Sequence, residues 1–178
     1  MSVVTRETTE TSIRAEVTIG DGTSRIETGN RFLDHMMTAF ARYSGLDIDL
    51  AARGDLKHHL IEDVALTLGR CVREIVPAGA ARYGSRTIPM DDALVQAAVD
   101  IGGRAYYEGE LPSSLYEHWM RSFSGEARMT IHIVVIRGSD RHHIIEAAIK
   151  ALGLAIRDAL VDTGAIFSTK GQVSVKVD

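Results

Sequence analysis

The sequence predicts an α+β fold made of two tandem similar halves, with helices layered on mixed β-sheets. Three observations support this: a histidine-rich motif occurs twice, short segments alternate apolar and polar residues, and longer segments carry apolar residues at helical spacing. A chain of 178 residues lies in the size range of one compact domain. We therefore expect one compact domain whose first repeat half spans 1–85 and whose second spans 86–178.

The repeat is clearest at a doubled histidine. The segment 58–62 (His-His-Leu-Ile-Glu) recurs 84 positions later as 142–146 (His-His-Ile-Ile-Glu), and His35 recurs 83 positions later as His118. Six of the seven histidines fall in this repeat. Two unrelated amphipathic helices would share apolar spacing but not the same histidines and glutamate, so we interpret the chain as a duplication.

In the first half, alternating apolar and polar residues predict strands, and apolar residues at helical spacing predict helices. Glycine or proline marks the ends of these elements. In chain order the predictions are a strand over 13–19, a turn at 20–22, a hairpin strand over 23–28, a helix over 31–43 ended by Gly45, a strand over 46–51 and a helix over 58–75 closed by Pro77.

The second half repeats this order of elements. Its Asp91-Asp92 pair is interpreted as a turn and an N-cap. Helices over a mixed sheet would bury the apolar faces of both kinds of element. The predictions are strands around 94–99 and 105–110, a helix around 115–123, a strand over 129–137, a helix over 142–161 and a last strand over 172–177.

The histidines and glutamates of the repeat form a candidate metal site. Residues four apart on a helix share a face, so each His-x-x-x-Glu pair can hold one ion. The second histidine of each doublet points about a quarter-turn or more away and should serve a different ion. Eight donors shared by two ions give four each. We assign one ion to His35, His58, Glu62 and His143, and the other to His118, His142, Glu146 and His59.

Imidazole-rich, thiolate-free donor sets favour manganese, iron, cobalt, nickel or zinc over magnesium or calcium. Because a bound imidazole nitrogen must be deprotonated, metal binding should weaken in acid. His132 lies outside the repeat, and we interpret it as structural.

Basic residues supply candidate phosphate contacts. Arginines and lysines are common on protein surfaces, so only their positions in the sequence suggest a phosphate contact. Lys150 lies four residues after Glu146. The Ser-Thr-Lys-Gly segment at 168–171 combines a hydroxyl and an ammonium with a permissive backbone. Arg86 is an alternative to Arg82. The candidates are Arg82, Arg104, Lys150, Ser168 and Lys170.

Composition excludes several classes of protein. A net charge of −4 argues against a general nucleic-acid binder, and no stretch reaches the roughly 20 apolar residues of a membrane span. Cys71, the single cysteine, cannot form an internal disulfide, which fits a reducing cytoplasm. We expect a cytoplasmic protein with no nucleic-acid or membrane partner.

The order of these motifs resembles the imidazoleglycerol-phosphate dehydratase family over nearly the whole chain, from about Arg6 to Gly171. The most specific features are the paired double-histidine helices and the terminal Ser-Thr-Lys-Gly. The motifs are Phe-Leu-Asp-His-Met at 32–36, His-His-x-x-Glu-Asp at 58–63, Arg-Tyr-Gly at 82–84, Pro-Met-Asp-Asp-Ala-Leu at 89–94, Gly-Arg at 103–104, His-His-Ile-Ile-Glu-Ala at 142–147, Lys-Ala at 150–151 and Ser-Thr-Lys-Gly at 168–171.

The resemblance implies a four-stranded sheet in each half with helices on one face. It also implies a homo-24-mer with two Mn²⁺ ions per site between subunits, other first-row divalent metals being possible. The eight donors above carry over as metal ligands. Glu10 matches the family's N-terminal acid, near the reacting carbons. Arg82, Arg104, Lys150, Ser168 and Lys170 carry over as substrate and phosphate contacts, to which we add Asp91.

Two positions depart from the family pattern. A glutamine usual four residues after the first histidine is Ala39 here, and a histidine usual one turn later is Tyr43. The segment before the first doublet is also a few residues shorter and less acidic. These changes bear on substrate contacts in that region and leave the eight ligands intact.

The implied reaction removes water from imidazoleglycerol phosphate to give imidazoleacetol phosphate in histidine biosynthesis, with the metal site binding the substrate imidazole. Glu10 is the first candidate for moving protons, and Glu146 or Glu62 is the second. Two alternatives stay open: a di-metal phosphatase, and a non-catalytic metal-binding assembly protein. The phosphatase reading leaves unexplained the absence of the aspartate-rich ligand sets that such hydrolases use.

Overall fold

A computed structural model describes residues 1–165 and places them in two four-stranded sheets and four helices. The sheet orders are β1-β2-β4-β3 and β5-β6-β8-β7, so the second half repeats the topology of the first. The elements are β1 (Ser2–Glu7), β2 (Thr11–Ile19), β3 (Ser24–Glu27), α1 (Arg31–Ser44), β4 (Leu46–Gly54), α2 (Lys57–Ile75), β5 (Tyr83–Met90), β6 (Ala93–Asp100), β7 (Tyr106–Glu108), α3 (Ser114–Ala127), β8 (Thr130–Arg137) and α4 (Arg141–Ala159).

Both sheets are mixed. In each, the first three strands of the sheet order are antiparallel, and the last strand, β3 or β7, runs parallel to its neighbour. The predicted fold class is therefore confirmed. The last predicted strand, 172–177, lies outside the described residues.

The helices lie between the two sheets, where helices of one half contact helices of the other half. Helices α1 and α2 pack on the first sheet and α3 and α4 on the second, while α1 contacts α4 and α2 contacts α3. Each helix therefore meets a helix of the other half. These contacts between halves determine which histidines lie close together.

An aromatic cluster joins α1 and α3 at the centre. Trp119 stacks on Phe123 with ring centroids 5.0 Å apart, and Phe40 meets Phe123 edge-on at 5.5 Å. All three side chains are fully buried. At about 25 cal/mol per Å² and roughly 200 Å² each, their burial contributes about 5 kcal/mol apiece. The two halves therefore share one core.

Capping residues set the helix ends near the histidines. Asn30 caps α1 by accepting from the backbone N–H of Leu33, and Gly45 ends that helix in the left-handed conformation at φ 68°, as predicted. The Asp140 carboxylate caps α4 by accepting from the N–H groups of His142 and His143. Both histidines of the second doublet thus occupy the first turn of a well-fixed helix.

The prediction of a hairpin strand over 23–28 is wrong in its pairing. Strand β3 pairs parallel with β4 instead of turning back on β2, because both edges of β2 are already occupied by β1 and β4. The Asp47 carboxylate fixes the turn by accepting from the backbone N–H groups of Asp21 and Thr23 and from the Thr23 hydroxyl.

Two edge strands, β1 and β5, were not among the predicted elements. Gly84 of β5 passes directly over α4, where an added Cβ would collide with the Ala155 carbonyl oxygen. Asp91 and Asp92 form the turn between β5 and β6, as predicted, but the predicted N-cap is wrong, because a strand and not a helix follows the pair. Strand β5 begins at Tyr83, slightly before the predicted boundary at 85; the division into halves stays a prediction.

Candidate metal centre

The second histidine-glutamate motif forms a compact donor pair on α4. The Nε2 atom of His142 lies 3.0 Å from Oε2 of Glu146, one helical turn away. The helix exposes about half of the His142 side chain and buries all but 7% of Glu146. The predicted sharing of one helix face is therefore observed.

His35 joins this pair from α1. Its Nε2 lies 3.3 Å from the same Oε2 of Glu146, because α1 packs against α4. One ligand atom from each of His35, His142 and Glu146 lies within 4.8 Å of the others. Two imidazoles and one carboxylate at this spacing fit a first-row divalent ion, and the exposed imidazoles leave its other positions open.

Lys150 binds the other oxygen of the same carboxylate. Its Nζ lies 2.8 Å from Oε1 of Glu146, 3.2 Å from the Met90 sulfur and 5.4 Å from the centre of the Tyr43 ring. Burial alone would raise the pKa of Glu146, but hydrogen bonds from Lys150, His35 and His142 outweigh it and leave the pKa lowered. The carboxylate is thus held ionised, as a metal ligand requires.

The first motif is more open. Its Glu62 side chain is 40% exposed, and Oε2 lies 3.4 Å from Nε2 of His118, which α3 brings to α2. The His58 ring lies 4.1 Å from the ring of its neighbour His59. Within residues 1–165 no third donor completes a cluster around Glu62. The two motifs therefore occupy matching positions in the two halves, but three donors converge at Glu146 and only two at Glu62 within residues 1–165.

The predicted grouping of donors is wrong about the upstream histidines. His35 lies with His142 and Glu146 of the other half, and His118 lies with Glu62. The reason is that the upstream helix of each half packs on the histidine-glutamate helix of the opposite half. The sequence repeat does not reveal that helices of opposite halves pack together, because spacing along the chain does not specify which helices are in contact.

The second histidine of each doublet is held by a carboxylate through Nδ1. Asp55 lies 2.8 Å from His59, and Asp92 lies 2.7 Å from His143, which Asp91 approaches at 3.4 Å from Nε2. These hydrogen bonds raise the pKa of both histidines. A carboxylate on one ring nitrogen orients the other toward a metal. Sequence reasoning missed Asp55, although its position four residues before His59 on the chain was a usable signal.

Glu10 lies beside the first doublet. It sits in the turn between β1 and β2 with its side chain 54% exposed, and Oε2 lies 3.5 Å from Nδ1 of His59. The structure therefore brings this candidate acid to a candidate metal ligand.

The predicted phosphate contacts are not gathered in one place within the described part of the chain. Arg82 forms a two-pronged ion pair with Asp100, which raises the pKa of Arg82; sequence reasoning missed this partner. The Arg104 side chain is exposed and makes no hydrogen bond or ion pair within 1–165. Ser168 and Lys170 lie outside the described residues.

A cavity of about 500 Å³ opens beside His142, where the N-terminal ends of the helices meet. Phe32, Tyr116 and Ile145 supply apolar walls, and Lys57 and Arg141 supply positive charge. His142 is the one candidate ligand that lines this cavity. No helix within 1–165 has the length and apolar character to cross a membrane.

Comparison with known proteins gives one consistent family. The family model described as imidazoleglycerol-phosphate dehydratase matches residues 28–156. The enzyme of that name from Chlorobaculum tepidum is 43% identical, over 94% of this chain and 95% of the relative. That of Methanothermobacter thermautotrophicus is 44% identical, over 97% of each. A crystal structure of the Pyrococcus furiosus protein matches with a TM-score of 0.87 at 40% identity, covering 96% of this chain and all of that one.

Proposed function

The chain belongs to the imidazoleglycerol-phosphate dehydratase family, and we propose that it removes water from imidazoleglycerol phosphate at a site built around two divalent metal ions. The product is imidazoleacetol phosphate, and the step belongs to histidine biosynthesis. As a member of this family the chain is an enzyme of the hydro-lyase class. The observation that carries the metal proposal is the convergence of His35, His142 and Glu146 from two helices.

The donor set supports Mn²⁺, with other first-row divalent ions as alternatives, because it combines imidazoles with carboxylates and lacks thiolates. His35, His142 and Glu146 would hold one ion, and Glu62 and His118 would contribute to the second with His58. When bound, such an ion supplies Lewis acidity that stabilises negative charge on a coordinated imidazole. His59 and His143 complete the proposed set of eight.

The proposed sites lie between subunits of a homo-24-mer. Two features of residues 1–165 support sharing between chains: the first motif has too few neighbouring donors there, and His59 and His143 form no three-donor cluster with their own helix partners. The half-exposed imidazoles of His35 and His118 also face outward, where a second copy could approach.

Glu10 is the first candidate for proton transfer. Dehydration needs a base that takes a carbon-bound proton and an acid that protonates the departing hydroxide. A half-exposed carboxylate beside His59, itself a proposed ligand, would lie near a substrate ring bound by the metal ion that His59 helps to hold. Glu146 and Glu62 are the second candidates, but Glu146 is buried and shared by two imidazoles and Lys150, which suits a ligand better than a mobile acid.

The phosphate lies at the other end of the substrate, remote from the chemistry. Arg82, Arg104, Lys150, Ser168 and Lys170 are proposed to hold it, with Asp91 as a further substrate contact. Holding the phosphate would fix the glycerol arm in a reactive orientation, so these residues would act through binding and positioning.

Product analysis tests the proposal. Mn²⁺-loaded protein incubated with imidazoleglycerol phosphate should yield a ketone that enolises and absorbs in alkali, without release of inorganic phosphate. Phosphate release would instead support a phosphatase. Metal binding without turnover would indicate an assembly protein.

A further inference from the structure

Asp63 is a buried carboxylate that breaks the internal repeat. It follows Glu62 on α2, whereas Ala147 follows Glu146 at the matching place on α4. Only 9% of Asp63 is exposed, and it belongs to no three-donor cluster within 1–165. A buried carboxylate is costly unless its oxygens are hydrogen-bonded. The first half must therefore gain something from Asp63 that the second half does not need.

Both carboxylate oxygens of Asp63 bind the strands that flank Glu10. Oδ1 accepts from Nε of Arg6 on β1 at 2.9 Å, and Oδ2 accepts from the Thr11 hydroxyl on β2. Thr11 is only 4% exposed, so this contact is shielded from water. Asp63 thus fixes both ends of the turn that carries Glu10.

The hydrogen bonds continue from Thr11 into the turn. Because the Thr11 hydroxyl donates its hydrogen bond to Asp63, the Thr11 oxygen is left to accept from the Thr8 hydroxyl at 3.0 Å. Thr8 Oγ1 in turn accepts from the backbone N–H of Glu10 at 3.1 Å and of Thr11 at 2.9 Å. The Glu10 carbonyl accepts from the Asp55 N–H at 3.0 Å. The Thr8 hydroxyl also lies 3.5 Å from the Thr11 carbonyl oxygen, so the side chains of Thr8 and Thr11 hold the two ends of the turn together.

We infer that Asp63, acting through Thr11 and Thr8, is a positioning residue that holds the Glu10 carboxylate beside His59. This inference rests on the proposed function, in which Glu10 moves protons during dehydration. Asp63 itself is proposed to touch neither substrate nor metal. Its role in the reaction is to fix the backbone from which Glu10 projects.

Steady-state kinetics of two isosteric variants test the inference. In Asp63→Asn one acceptor becomes a donor, and in Thr11→Val the hydroxyl is lost. Because a displacement of about 1 Å can cost a hundredfold in rate, we expect kcat to fall about 10- to 100-fold in each. The KM and the bound Mn²⁺ should stay within about twofold, since phosphate and metal contacts are untouched.

Two further variants separate positioning from folding. Thr11→Ser keeps the hydroxyl and should restore most of kcat. Thr67→Val is the matched control, because Thr67 is buried one turn along α2 but its hydroxyl bonds only the backbone carbonyl of Asp63. It should leave kcat near the wild-type value. Equal losses in Thr67→Val and Asp63→Asn, or a loss confined to KM or Mn²⁺ content, would overturn the inference.

A double-mutant comparison shows whether Asp63 acts through Glu10. In a Glu10→Gln background Asp63→Asn should lower kcat no further, whereas independent roles would make the two losses multiply. Hydrogen–deuterium exchange of the peptide spanning 6–12 tests positioning without any assay of activity, and should quicken in Asp63→Asn. Inactive wild-type protein would refute the proposed function alone, whereas unchanged exchange would refute the positioning role.

Discussion

Lys150→Met should destabilise the metal-free protein and have much less effect once Mn²⁺ is bound. Among the described residues, Lys150 is the one lysine or arginine that forms an ion pair with Glu146, and its Nζ lies 2.8 Å from Oε1. The Lys150 side chain is 16% exposed and the Glu146 side chain is 7% exposed. Methionine has a similar length but no charge. Among residues 1–165, the substitution therefore leaves only the His35 and His142 rings beside this buried carboxylate.

Removing one partner of a buried ion pair costs about 3–5 kcal/mol. We take the lower end, about 3 kcal/mol, because two imidazoles still contact the Glu146 carboxylate. For a chain of this size each kcal/mol lowers Tm by about 2–4 °C, so the expected loss is roughly 6 to 12 °C. A bound divalent cation on Glu146 supplies the missing positive charge and should shrink the difference.

The assay is thermal unfolding at one protein concentration, with chelator and then with Mn²⁺, since any ligand of the folded state raises Tm. Lys150→Arg keeps the charge and serves as the control. In a Glu146→Gln background the same Lys150→Met change should cost little, because no buried charge is left uncompensated. If Lys150→Met and the wild type have the same Tm in the presence of chelator, Lys150 does not stabilise the buried Glu146 carboxylate.

Three other changes have defined outcomes. His142→Ala should remove bound Mn²⁺ and the 24-subunit assembly, measured by metal analysis and light scattering; unchanged metal content would contradict its assignment as a ligand. Lys170→Ala should raise KM for the phosphorylated substrate with little change in kcat; a fall in kcat alone would count against a phosphate contact. Hydrogen bonds from Thr23 lower the pKa of Asp47 below 3.8, so its contribution to stability is present above that pH and is lost as pH falls through the folded-state pKa. Asp47→Asn should therefore lower Tm at pH 7 and approach the wild type in strong acid; an equal gap at both pH values would exclude this linkage.

The helices and the repeat could be predicted because their signals are local. Apolar spacing fixes α1 and α2 to within a residue or two, and Gly45 ends α1 as expected. Strand pairing is not local: the turn at 20–22 resembles a hairpin signal, but β2 had no free edge for β3. Pairing depends on which neighbours are already occupied, and a single sequence does not record this.

The same limit applies to the site. Spacing on α4 correctly placed Glu146 beside His142 and near Lys150, since all three lie on one helix. It could not place His35, because that depends on α1 crossing to the other half. The burial of Asp63 under the Glu10 turn also depends on packing, because Asp63 lies on α2 and its partners Arg6 and Thr11 lie on β1 and β2.

In the proposed function, turnover of imidazoleglycerol phosphate requires metal ions held by the two histidine-glutamate motifs. The most direct measurement is a Mn²⁺ titration of chelated protein in which bound metal and ketone formation are followed together. We expect no activity without metal, and a rise in activity that ends at two bound ions per chain. Full activity in protein shown to be metal-free would contradict this expectation.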